Sequence, residues 1–259
     1  MKQSRLFFFS FLFFTTFFTE ASNFCFQNIS SSDSLHVGYQ EISINQQLKF
    51  KVFAADSTFK FNIHLANLKS NNFSQALEEE PKAEFLMNAG MFHENYQPVG
   101  LLIKNGILIA KIDTINTPKY GNFYIQPNGV FLIDKSNKPL ILTTRQFVSA
   151  NFVISDIKMA TQSGPMLIFD RKINTHFIEK SENRKIRNGV GVNKNGNVFF
   201  AISEKEVTFY EFSSFFKEQL NCIQALYLDG EISKIYTGEK GKKDNLSNMK
   251  FGPILSITK

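Results

Sequence analysis

Four short segments set a polar or charged side chain beside glycine at the end of an apolar run: NAGMF (88–92), QSGPMLI (162–168), RNGVGV (187–192) and LDGEIS (228–233). Their polar members, Asn88, Gln162, Arg187 and Asp229, comprise two amides, one permanent cation and one carboxylate. Gly90, Gly164, Gly189 and Gly230 would let backbone N–H groups come close to a ligand, and strand ends gathered at one sheet edge would frame it rigidly. Any one segment could be an ordinary turn, because Gly, Asn and Asp dominate turns. Four in one chain favour a shared binding site.

Other groups could add acid–base chemistry. The first segment runs on, in FLMNAGMFHENYQPVG (85–100), to His93 and Glu94. This pair is either a general acid or base on a cavity rim or a solvated turn. Glu231 follows Asp229 by two positions, so a continuing strand would turn both carboxylates to one side, and a buried pair would raise one pKa. His36, His64 and His176 read as structural or exposed. The sequence contains no GxSxG elbow, no GxxxxGK[ST] phosphate loop, no HExxH and no CxxC spacing. No metal and no cofactor are expected.

These residues need elements to hold them. LKFKVF and FKFNIHL alternate polar with apolar residues and predict two half-buried strands joined at AADST. VGLLIKNGILIA flanks Asn105-Gly106 with apolar runs, and GNFYIQPNGVFLID repeats the device at Asn128-Gly129; both predict hairpins, because Asn-Gly suits a turn with two positive φ values. Strands return at ALYL before Asp229 and at PILSI. The clearest helix spans Thr208 to Leu220, with a Thr208–Glu211 capping box and Phe209, Phe212, Phe216 and Leu220 on one stripe. TTRQFVSANF is a weaker candidate, and KSNNFSQALEEEPK reads as a polar crossover. The fold class is α+β, mostly antiparallel, with two or three helices flanking the sheets of a single domain.

With 259 residues, 43% hydrophobic and 20% charged, the chain can build one sizeable core. Its 30 Phe and absent Trp fit a base-composition bias and carry no functional inference. Residues 1–21 have the layout of a signal peptide: Lys2 and Arg5 precede an apolar run from Leu6 to Phe18, shorter than the roughly 20 residues a spanning helix needs. Small residues follow, and the mature chain would start near Ser22. An uncleaved N-terminal tether is the alternative. Residues 22–46 read as a flexible lead-in and 47–259 as the domain. The expected location is periplasmic or extracellular, with no stable membrane span after cleavage.

The formal net charge of +6 is spread over several segments. A nucleic-acid partner would need a concentrated basic face, so none is expected; anionic sugars, phosphates or envelope surfaces fit better, with plain solubility as the alternative. Cys25 and Cys222 could form one disulfide in an exported protein, but sequence does not say that they meet.

The four segments, in this order, resemble the phosphodiester glycosidase family, whose patterns run N-G-G-F-F, Q-[AS]-G-P-x-L, R-x-[AG]-x-G and L-D-G-G-x-S. NAGMFH, PVGL, PNGVF, QSGPML, RNGVGV, FAIS and LYLDG look most like a compact branch of exported bacterial proteins. The likeness extends from about Leu48 to Ile257. Glu231 and Lys234 depart from the pattern, whereas Ser233 is retained.

The resemblance implies cleavage of a sugar joined through its anomeric carbon to phosphate, in a sugar phosphodiester or phosphorylated polysaccharide. A phosphate monoester leaves readily, its second pKa being about 6, so general-acid help matters less than in an ordinary glycosidase. By this resemblance Arg187 would grip phosphate oxygens, helped by a nest of amides at Ser163, Gly164 and Gly189. Asp229 would stabilise or attack the anomeric carbon. Asn88 and Gln162 would bind sugar hydroxyls or phosphate, with Gly90, Gly230 and Ser233 completing the pocket. A phospho-sugar-binding protein of polysaccharide assembly, without turnover, is the alternative.

Overall fold

The computed structural model describes residues 35–65, 71–115, 121–230, 232–238 and 249–259. In chain order the strands are β1 (Gly38–Ser43), β2 (Lys49–Ala55), β3 (Lys60–His64), β4 (Phe85–Asn88), β5 (Leu102–Lys104), β6 (Ile107–Ala110), β7 (Gly129–Asp134) and β8 (Pro139–Thr143). They continue as β9 (Ile157–Ser163), β10 (Met166–Phe169), β11 (Lys172–Ile173), β12 (Asn188–Asn193), β13 (Val198–Ser203), β14 (Cys222–Asp229), β15 (Ile235–Tyr236) and β16 (Ile254–Thr258). The helices are α1 (Phe73–Glu79), α2 (Thr144–Ala150) and α3 (Phe209–Ser214), the last widening into a π-turn at Phe215–Gln219.

Among the described residues, three antiparallel sheets form. One has the order β1-β2-β13-β12-β14-β10-β11, a second β15-β4-β16-β3, and a third β6-β5-β9-β7-β8. Each buries its inner face in a common core and its outer face under one helix. Period-two alternation does this residue by residue. In β7, Phe131 and Ile133 point to the shared core while Val130 and Leu132 meet Phe147 of α2. In β14, Leu226 and Leu228 point inward while Ala225 and Tyr227 meet α3. In β4, Phe85 and Met87 point inward and Leu86 packs with Phe73 of α1. Strands buried on both faces read as unbroken apolar runs, which is why FLM, VFLI and ALYL show no polar alternation.

Mostly antiparallel sheets with three helices are as the residues predict. The Thr208–Glu211 capping box forms with both bonds, and so does a similar box at Thr143–Gln146 in the weaker helix candidate. Asn105-Gly106 joins β5 to β6, with φ of 51° and 75°. Three expectations are corrected. Asn128-Gly129 is no hairpin turn: it leads into β7, and the chain reverses instead between Asp134 and Pro139, where Asp134 Oδ1 accepts from Lys138 N at 2.9 Å. Asn128 is held by Thr144, whose N–H bonds the Asn128 carbonyl at 3.0 Å. The polar crossover contains α1, opened by an Asn72–Gln75 capping box. Part of the flexible lead-in, residues 38–43, is β1, paired with β2. The signal-like segment and Cys25 lie outside the described residues. Among the described residues, no helix is long and apolar enough to cross a membrane.

Candidate functional site

The ends of β14, β12 and β4 converge. The Asp229 carboxylate is half-buried there, with Oδ2 accepting from Asn88 Nδ2 at 3.1 Å and Oδ1 from the Gly230 amide at 2.6 Å. Its backbone N–H donates to Asn188 Oδ1 at 2.6 Å. Asn188 Nδ2 in turn donates to Asn88 Oδ1 at 3.0 Å, which also accepts from the Lys234 amide at 3.0 Å. Backbone donors therefore fix which way both side-chain amides face, and Asn88 must offer its N–H₂ to the carboxylate. Ser233 closes the following turn, donating to the Asp229 carbonyl at 3.2 Å. The carboxylate is thus held on both oxygens by N–H donors.

Alternation along β12 sends Asn188 toward Asn88 and Arg187 to the opposite face, under α3. Arg187 is 0% exposed. Its Nε donates to the Val207 carbonyl at 2.9 Å and Nη2 to the Asn183 carbonyl at 3.0 Å, while the guanidinium stacks 3.7 Å above the Phe209 ring. Burial lowers its pKa from the usual guanidinium range, with Tyr227 and Glu211 opposing; the group starts so high that it stays charged. Nη1 is buried without a hydrogen-bond partner.

Between this cation and Asp229 stands Tyr227. Burial pushes its phenol up to about 12, with Asp229 adding to the rise and Arg187 and Asn122 opposing it. It is therefore a protonated donor at neutral pH. A Cβ at Gly230 would fall 2.3 Å from the Tyr227 oxygen, so glycine there makes room for the phenol. Arg187 and Asp229 are thus coupled through Tyr227, and the expected direct grip of Arg187 on a solvent-borne phosphate is corrected: the guanidinium does not open to solvent.

The other candidates separate by what they bond. Gln162 spends its whole amide internally: Oε1 accepts from Leu101 N at 3.0 Å and Asp113 N at 2.9 Å, and Nε2 donates to the Asp113 carbonyl at 2.7 Å and Thr144 Oγ1 at 3.0 Å. It clamps loops and has no group left for a sugar. Gly90 packs on its backbone, where a Cβ would lie 2.4 Å from the Gln162 carbonyl. The amide nest does not assemble, because Gly189 lies within the ladder between Ala201 and Tyr227, beneath Phe212. Ser163 Oγ donates to the Leu228 carbonyl at 2.8 Å, and Gly164 packs on Asn128. His93 and Glu94 are an exposed turn, with Tyr96 N bonding the His93 carbonyl at 2.7 Å. Glu231 lies outside the described residues.

Asn188 and Tyr227 were not singled out in the sequence. Each sits beside a more conspicuous residue, Arg187 and Asp229, and only the strand register reveals which neighbour faces the seam. A Ser–His–carboxylate row also exists: His64 bonds Ser256 Oγ at 2.8 Å through Nε2 and Glu79 at 2.8 Å through Nδ1. Ser256 is 1% exposed, in β16 beneath the layer that carries α1, so the row has no access for a substrate and is structural. Burial alone would raise Glu79, but His64 and Lys104 outweigh it and hold the carboxyl below its usual range.

The chain is similar to known proteins in sequence and in fold. A sequence profile described as phosphodiester glycosidase matches residues 81–250. YigE of Escherichia coli K12, described as uncharacterized, is 38% identical over 160 residues, covering 62% of this chain and 60% of that protein. The chain thus spans about 60% of the length of that curated relative. The catalytic domain of zebrafish N-acetylglucosamine-1-phosphodiester alpha-N-acetylglucosaminidase, auto-inhibited by its pro-peptide, superposes with a TM-score of 0.61 at 13% identity, over 90% of this chain and 86% of that one. A hypothetical protein from Synechocystis superposes with a TM-score of 0.52 at 12% identity, over 85% of this chain and 61% of that one. The two superpositions establish a common fold. On the profile match, which covers most of the folded region, the chain belongs to the phosphodiester glycosidase family.

Proposed function

We propose that the protein hydrolyses the glycosidic bond of a sugar-1-phosphodiester, outside the cytoplasm, in envelope or extracellular polysaccharide. The observation that carries this reading is the Asp229 carboxylate, half-exposed at a strand end and oriented by Asn88 and Gly230. A carboxylate so fixed can face the positive charge that develops at the anomeric carbon. The bond from that carbon to the phosphate oxygen breaks with its electron pair leaving on phosphate. Water supplies the new bond to carbon and releases a proton to solvent, giving free sugar and phosphate monoester. Arg187 serves as a positioning residue: its charge beneath the Tyr227 phenol keeps that group ordered next to Gly230 and the carboxylate.

The test is release of free sugar from a panel of UDP-sugars and other sugar phosphodiesters by the purified protein. Asp229→Asn should lower turnover by about two to three orders of magnitude. Equal turnover by the variant would remove Asp229 from the mechanism. Absence of turnover across the panel, with retained binding, would identify a phospho-sugar-binding protein instead.

A further inference from the structure

We infer that Lys234 is the residue that meets the substrate's phosphate, its ammonium reaching over the Asp229 site to pair with a phosphate oxygen of the sugar phosphodiester. This deepens the hydrolase reading and rests on it. The need for such a group is electrostatic. A phosphodiester is an anion and must settle beside the Asp229 carboxylate, and further negative charge builds on phosphate as its bond to the anomeric carbon breaks. Arg187 is 0% exposed beneath α3 and spends Nε and Nη2 on backbone carbonyls. A cation on the open side of the carboxylate would offset both charges.

Lys234 is fixed there by its backbone. Its N–H donates to Asn88 Oδ1 at 3.0 Å, and Asn88 Nδ2 donates to Asp229 Oδ2 at 3.1 Å. One side-chain amide thus separates Lys234 N from the carboxylate, a gap of about 8 Å at most. Ser233 closes the intervening turn, its N–H bonding the Gly230 carbonyl at 3.0 Å and its Oγ the Asp229 carbonyl at 3.2 Å. β15 then pairs Ile235 with Met87, both against the shared core. Alternation turns Lys234 to the other face, as it does Asn88.

The side chain is free for the task. Lys234 is exposed, and among the described residues no carboxylate pairs with its ammonium. Its four-carbon stem reaches about 6 Å from Cα, enough to bring the ammonium above the carboxylate with a phosphate oxygen between them. Three rotatable donors on a flexible stem can follow the phosphate oxygens as charge grows on them, which favours the transition state over the bound substrate. Position 234 departs from the family pattern, so this contact is the chain's own.

The experiment uses the full chain and two readouts. Methyl phosphate, which imitates the released monoester, is titrated to roughly tens of millimolar and followed by phosphorus NMR. The sugar phosphodiester turned over fastest in the panel gives kcat and KM. The unmodified protein should bind methyl phosphate. Lys234→Met should weaken that binding about tenfold or more and lower kcat/KM by a similar factor, and Lys234→Arg should restore most of both. Lys194→Met, which removes the same charge from the exposed turn beyond the far end of β12, should leave both unchanged. The urea midpoint of Lys234→Met should match that of the unmodified protein, because the bond to Asn88 is made by the backbone. No binding of methyl phosphate by the unmodified protein, or equal losses in Lys234→Met and Lys194→Met, overturns the assignment. Lys234-dependent binding without sugar release from any phosphodiester would sink the hydrolase reading and keep the phosphate contact; sugar release with KM and kcat unchanged in Lys234→Met would do the reverse.

Discussion

Replacing Asn88 with aspartate tests the polar seam with almost no change of shape. The 3.1 Å contact between Asn88 Nδ2 and Asp229 Oδ2 would become two facing carboxylate oxygens. At that separation and an effective dielectric of 20, two unit charges repel by about 5 kcal/mol. Asp229 is half-exposed, so solvent screening reduces this to about 2–3 kcal/mol. The pair avoids the repulsion by keeping one proton, which raises a folded-state pKa above the unfolded value. A raised folded pKa contributes stability below the unfolded pKa and loses it as pH rises through the folded one. Urea unfolding of Asn88→Asp should therefore show a small deficit near pH 4 that grows by about 2–3 kcal/mol by pH 8. Turnover should fall over the whole range, since a shared proton compromises the carboxylate. A deficit of the same size at both pH values would refute the reasoning, because it would mean that the two side chains do not face each other.

Gln162→Leu leaves Leu101 N, Asp113 N and the Asp113 carbonyl without partners and should cost about 3 kcal/mol or more. Hydrogen exchange should quicken at the Leu101 and Asp113 amides, and unchanged protection there would contradict the clamp. Arg187→Met strips donors from the Val207 and Asn183 carbonyls and should lower stability by about 2–4 kcal/mol together with kcat. A raised KM at unchanged stability would instead show direct phosphate binding. Burial pushes the Cys222 thiol well above its usual range, so iodoacetamide should label it only after unfolding; rapid labelling of the native protein would contradict the packing.

Elements specified by local chemistry were legible in the sequence. The Thr208 capping box, the Asn105-Gly106 hairpin and the antiparallel sheets each follow from residues close together in the chain. Asn128-Gly129 misled because the same dipeptide signals a turn or, with Thr144 holding Asn128 from across the fold, the first step of a buried strand. α1 was hidden because only Phe73 and Ala76 of its short span are buried, too few to make a periodic stripe. Of the four polar residues beside glycines, Asn88 and Asp229 do meet. What could not be read was the direction of each side chain. Arg187 and Asn188 are adjacent in sequence, yet one faces a helix and the other the seam, and a one-residue difference in register decides which. Gln162 looked like a ligand-binding amide because the residues it bonds, Leu101, Asp113 and Thr144, lie far from it along the chain.

Asn88, which bonds the Asp229 side chain, and Asn188, which bonds its backbone N–H, stand on strands of two different sheets. Surrounding loops such as 93–97 can consequently diversify, lengthen or be exchanged while the carboxylate keeps its coordinates. New specificities in such a scaffold would arise at the periphery, with the chemistry inherited unaltered from the framework beneath.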